Sequence, residues 1–203
     1  VSVERDEDLV RRCLEGDRSA FGVLFERHQR RVYNLALRMT GRDDDARDAT
    51  QEAFLTALRK LPSFRGEAAF TTWLHRVAVN ACYDLLRRRS RTPLLDLVPE
   101  HQPEPPPVAD HADRVELAMD VQHALLDVPE DYRAAMILHD VQDLPYEQVA
   151  EVLGVPVGTV RSRLHRGRVA LARALGLQYP DRPEQDRRER PDAPEPSQGP
   201  RPT

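Results

Sequence analysis

Proline most limits what this chain can build. Six of its 17 prolines fall between Thr92 and Asp110, three of them in a row at Pro105, Pro106 and Pro107, and seven more lie between Tyr179 and Thr203. Proline has no N–H to give a helix and fixes φ, so neither stretch can continue one. Residues 92–110 therefore read as a flexible Pro-rich linker. Residues 179–203, with charges of both signs and almost nothing apolar, read as a disordered tail. Two segments remain in which a core can form, 6–91 and 111–178. In both, apolar residues recur at helical spacing and no strand pair stands out, so the expected fold is all-α, with two small helical domains.

Leu144 to Leu171, LPYEQVAEVLGVPVGTVRSRLHRGRVAL, is the most informative stretch. Val149, Ala150 and Leu153 keep helical spacing up to Gly154, and Val160 and Leu164 resume it afterwards. Gly154 can take the positive φ of a sharp turn, and Pro156 suits the first turn of a following helix. This is the pattern of a helix-turn-helix. Its second helix carries Arg161, Ser162, His165, Arg166 and Arg168 on one side. From Pro145 to Gln178 there are five arginines against two glutamates, in a chain of formal net charge −4. An arginine-rich face is often only solvated surface. On the helix that would enter a major groove, it points to DNA contact, since arginine can bond guanine bidentately. The overall acidity argues against a nonspecific nucleic-acid coat. Leu117, Val121, Ala124, Leu125 and Val128, then Glu130 to Asp140, form two helices that would scaffold this motif.

In the first segment, Phe21, Leu24, Phe25, Val32, Leu35, Ala36 and Met39 predict a helix over about Ser19–Met39, capped by Asp17 or Ser19 and stopped by Gly41. A second helix begins at Asp43–Asp45, would bury Ala46, Ala49, Ala53, Ala57, Leu58 and Leu61, and ends at Pro62. On its opposite side Asp48, Gln51, Glu52, Leu55 and Arg59 lie together, which by itself reads as a solvated, ion-paired face. Phe64, Phe70 and Trp73 then sit within ten residues around Gly66. They precede a helix that buries Leu74, Val77, Ala78 and Ala81 and ends in Arg87, Arg88, Arg89 and Arg91. Trp73 can serve simply as core. Aromatic rings beside a basic run are also what unpaired bases need.

The two cysteines, Cys13 and Cys82, form no C-x-x-C and read as free thiols. The start lacks the apolar stretch of a secretory signal, no run approaches a membrane span, and a cytoplasmic protein is expected. No phosphate-binding loop, zinc spacing or nucleophile–base motif is present, so neither an enzyme, a cofactor nor a metal is expected.

GDRSAFGVLFERH, DARDATQEAFLTALRKLPSFRGEAAFTTWLHRVAVNAC and the helix-turn-helix stretch together resemble the bacterial extracytoplasmic-function (ECF) sigma factors, most closely actinobacterial members of the sigma-M kind. These are short promoter-recognition subunits of RNA polymerase. The resemblance implies that 6–91 is sigma region 2 and 111–178 sigma region 4. It implies that Asp48, Gln51, Glu52 and Leu55 bind core polymerase (the β and β′ subunits), chiefly the β′ clamp. Phe64, Arg65 and Gly66, with Phe70, Trp73, Asn80, Arg87 and Arg88 behind them, would take the −10 element, capturing an extruded base. Thr159, Arg161, Ser162, His165, Arg166 and Arg168 would contact the −35 element, with His165 departing from an aromatic found there in some members. The implied partners are core RNA polymerase, promoter DNA and a separate anti-sigma factor, without membrane insertion. A repressor or activator that never joins polymerase is the alternative reading.

Overall fold

The computed structural model describes residues 4–91 and 119–179. Among them there is no strand, as the spacing predicts. The expected linker, and the expected tail beyond Tyr179, lie outside the described residues.

Four helices build the first module: α1 (Asp6–Leu14), α2 (Arg18–Thr40), α3 (Asp43–Lys60) and α4 (Phe70–Arg91). Asp17 caps α2, its carboxylate accepting the Ser19 amide at 2.9 Å. The Ser19 hydroxyl and Arg12 hold that carboxyl down at about 2. Gly41 ends α2 with φ 77°, its N–H reaching the Leu37 carbonyl at 2.8 Å. A side chain there would be strained by φ and would also collide with Leu126 of the second module. Three aspartates open α3, at the positive end of its dipole. A single 3₁₀ turn, Leu61–Ser63, closes it.

Two expected core positions of the first module are not core. Leu58 is 49% exposed and Phe25 37%, because Phe54 fills the α2–α3 seam instead and leaves them on the rim of a groove.

The second module comprises residues 119–126 (α5), α6 (Glu130–Met136), α7 (Tyr146–Leu153) and α8 (Val157–Ala174). A π turn over Ile137–Val141 prolongs α6. Ala124, Leu125 and Val128 are buried as expected, whereas Val121 is 38% exposed; Leu117 is outside the described residues. Gly154 turns α7 into α8 with φ 65°. Pro156 stands one residue ahead of α8 rather than inside it, as its N-cap. Gly167 lets α8 press against α6, since a Cβ there would overlap Met136 Sδ.

The modules pack directly on each other, and one apolar core runs through both. α4 is buried on two sides. Leu74, Val77, Ala78 and Ala81 are buried as expected, and Thr72, His75, Val79 and Cys82 are buried as well. The α4–α7 seam is the most extensive between the modules. Arg133 of α6 is 6% exposed and forms no ion pair among the described residues. It donates instead to the Met39 carbonyl, at the electronegative end of α2, and to the Leu126 and Val128 carbonyls, at and just past the end of α5. Tyr83 donates to Asp131, which also receives Arg163 of α8, so α4 and α8 meet through one carboxylate.

Candidate functional site

Three surfaces carry the residues singled out in the sequence. The first is a groove of about 760 Å³ between α2 and α3. Gln51 and Leu55 line it from α3; Asp48 and Glu52 are not among its lining residues. Its floor is Phe54, which meets Phe25 on the rim edge-on at 4.8 Å and Phe21 at 6.5 Å. Leu55 is 45% exposed, so the groove presents apolar surface to water. Glu52 accepts from Arg59 at 2.7 Å and Thr56 at 3.0 Å, and those bonds lower its carboxyl below the usual range. Sequence reasoning overlooked the contribution of α2, from Phe25, Gln29 and Tyr33. The signal was present: Phe25 and Tyr33 are eight residues apart, two turns up one side of a helix.

The second surface surrounds the loop between α3 and α4. Phe64 and Trp73 are half-buried, with ring centres 5.1 Å apart, and both rest on Phe70 at 6.1 and 5.7 Å. Phe70 is 1% exposed, so it supports the two rings above it and offers no face of its own. Arg65 and Gly66 project beside them, and Gly66 has φ 70°. Along α4, Trp73, Arg76, Asn80 and Arg87 follow at intervals of three, four and seven, one outward stripe about 21 Å long. Arg76, Asn80, Arg87 and Arg88 are exposed. Arg87 pairs with Asp84 at 2.5 Å, and Arg88 donates to the Asp84 carbonyl at 3.3 Å. Arg76 belongs to this stripe too, at helical spacing from Trp73 and Asn80.

The third surface is α8. Its buried side is Val160, Leu164, Gly167 and Ala172. Arg161, Ser162 and Arg166 are exposed, and Thr159, His165 and Arg168 are half-exposed beside them. The Arg161 guanidinium lies 5.8 Å from the Tyr146 ring centre, Arg166 donates to the Tyr132 hydroxyl at 3.4 Å, and Ser162 to the Thr159 carbonyl at 2.9 Å. Arg168 is drawn aside to Asp140 at 2.6 Å, a bond that raises its pKa. Arg163 points inward to Asp131, away from the outward row.

The thiols are quiet. Burial pushes Cys82 up to about 12 and raises Cys13, so neither forms a thiolate readily. Among the described residues no group of three His, Cys, Asp or Glu could hold a metal, and no helix is long and apolar enough to cross a membrane.

Comparison with known proteins places the chain in a family. The description "Sigma-70 region 2" matches residues 24–92, and "Sigma-70, region 4" matches residues 118–171. An ECF RNA polymerase sigma factor, SigM of Mycobacterium tuberculosis, is 45% identical over 84% of this chain and 85% of its own. The chain belongs to the ECF sigma factors. The ECF sigma-E factor of Escherichia coli is 37% identical to this sigma factor over 82% of this chain and 92% of its own. Among solved structures, CnrH in complex with the cytosolic domain of CnrY superimposes with TM-score 0.65 at 26% identity, covering 85% of this chain and 98% of that one. The family match sets aside the reading as a repressor or activator that works without polymerase.

Proposed function

We propose that this sigma factor docks on core RNA polymerase through the α2–α3 groove, holds a base extruded from the −10 element on the Phe64–Trp73 rings, and reads the −35 element with α8. The observation that supports this best is the coexistence of a water-facing apolar groove with two separate basic surfaces on one chain. Exposed apolar area of this kind suits a helical partner. The paired rings beside an arginine-bearing stripe suit a melted strand, and the α8 row suits a major groove. Asp48 and Glu52 would flank the docked partner. Arg161, Ser162 and Arg166 would address base edges; His165 and Thr159 would lie at the edge of that contact, and Arg168 would meet a phosphate after leaving Asp140.

Two elements about 25 base pairs apart are separated by about 85 Å of duplex at 3.4 Å per pair. A packed unit of roughly 150 residues has a radius of gyration of about 15 Å, too small to reach both. The modules must part on promoter binding, and residues 92–118 are long enough to reach about 90 Å when extended. The compact arrangement is therefore the resting one, and an anti-sigma chain that prolongs it would silence the protein in the cytoplasm. As a sigma factor it directs chemistry that polymerase performs. Adding it to sigma-free core polymerase with a promoter library tests the reading: specific transcripts are expected, and none from any promoter would refute it.

A further inference from the structure

A fourth surface, outside those assigned above, lies on the far side of α2. A cleft of about 830 Å³ runs between α1, α2, the start of α4 and the π turn of the second module. Arg27, Arg31, Asn34 and Arg38 line it at positions i, i+4, i+7 and i+11, one straight row about 16 Å long. The carboxylates at its edge are mostly engaged: Asp6 binds His28 and Arg27, and Glu4 binds Arg12 at 2.8 Å; Glu7 stays on the exposed rim. Among the described residues Arg30 and Arg31 meet no carboxylate, and Arg38 donates only to the Asn34 carbonyl at 3.3 Å. The cleft adjoins the aromatic site at the start of α4, across the buried Phe70 ring. His28 lines it and touches Phe70 at 5.7 Å, Phe70 carries Phe64 and Trp73, and Thr71 lines it at the start of α4.

We infer that the Arg31–Asn34–Arg38 row of α2 is a phosphate track for single-stranded DNA leaving the Phe64–Trp73 rings. The inference rests on the proposed −10 role of those rings. Arginines spaced one to two turns apart, with an amide between them, match an extended sugar–phosphate backbone better than a compact anion, because the charge is spread along a line. The second module closes this track in the compact arrangement. Val141 and Gln142 form its far wall, and the Gln142 side chain donates to the Arg31 carbonyl at 3.5 Å. Separation of the modules removes that wall, so strand capture and module closure compete for the same face.

The test uses holoenzyme assembled from the full chain and a promoter duplex carrying a mismatched −10 bubble, with affinity followed over a potassium chloride series. Each single-strand phosphate that the protein no longer neutralises lowers the slope of log K against log salt by about 0.7. The double variant Arg31→Gln, Arg38→Gln is expected to lower that slope by about 1.4 and to weaken low-salt binding about tenfold. The control Arg11→Gln, Arg18→Gln removes the same charge elsewhere and is expected to keep the wild-type slope. An unchanged slope in the first variant, or an equal drop in the control, overturns the track. If instead the wild-type holoenzyme starts no transcript, the sigma assignment itself has failed, a result separate from either of these.

Discussion

The two flanks of α2 differ as sharply as any regions of the molecule. One turns Phe21, Phe25 and Tyr33 toward α3 and forms an apolar groove; the other turns Arg27, Arg31 and Arg38 into a cationic cleft between α1 and the π turn. Between them Leu24, Val32, Leu35 and Met39 bury the helix, all at 1% exposure or less. A helix with one buried stripe has room for two outward ones, and here the two carry opposite chemistry. The apolar flank suits a partner that shields it from water, whereas the cationic flank suits one that brings charge and stays wet.

Breaking the apolar flank should have the largest effect. Leu55→Asp places a charge where a partner must exclude water, and about 3 kcal/mol, or over a hundredfold in Kd for core polymerase, is expected. Since Leu55 is 45% exposed, the unfolding midpoint should barely move. Titration of labelled polymerase reads the first quantity and urea denaturation the second.

Arg133→Met attacks the packing of the second module on the end of α2 without touching either flank. It leaves the Met39, Leu126 and Val128 carbonyls without their guanidinium donor. A stability loss of about 2–3 kcal/mol by urea denaturation is expected, with polymerase affinity retained. Lost polymerase affinity would mean that the apolar groove depends on module closure.

Acid should act from beneath the cationic side. His75 is buried, and desolvation, helped by Arg31 and His28, lowers its pKa from 6.5 to about 4. The unfolded chain therefore binds this proton first, and stability is complete above pH 6.5 and declines as pH falls toward 4. About 2 kcal/mol should be lost between pH 7.5 and pH 5, and part of that pH dependence should disappear in His75→Gln. A flat profile would show that the ring is solvated.

The smallest change expected is at α8. Arg166→Ala should weaken binding to the −35 element by about 1–2 kcal/mol and relax its base preference, leaving both flanks of α2 intact. A gel-shift competition with altered −35 duplexes reads both effects.

Local patterns made much of this legible. The boundaries of α2 and α3, the turn at Gly154 and the outward row of α8 follow from caps, glycine and a 3.6-residue period, which act over a few residues. Phe25 and Leu58 lie on a rim although their spacing predicts core, because period assigns a side of a helix but not how much of it a neighbour covers. The second buried side of α4 was visible as apolar residues at Val79 and Cys82, yet nothing local says what covers them. Arg133 illustrates the limit well: a lone arginine in an amphipathic helix reads as surface until the end of a helix far earlier in the chain supplies its acceptors.

By itself, the sequence determined two helical modules, the prolines that divide them, and the side of α8 that carries the arginines, because each is dictated by neighbours within a turn or two. Tertiary structure alone decided that the modules share a core, that α2 separates an apolar groove from a cationic cleft, and that Arg168 rests on Asp140 while Arg161 and Arg166 remain at the surface. Those outcomes depend on which distant surfaces meet, and burial and charge pairing are properties of both partners at once.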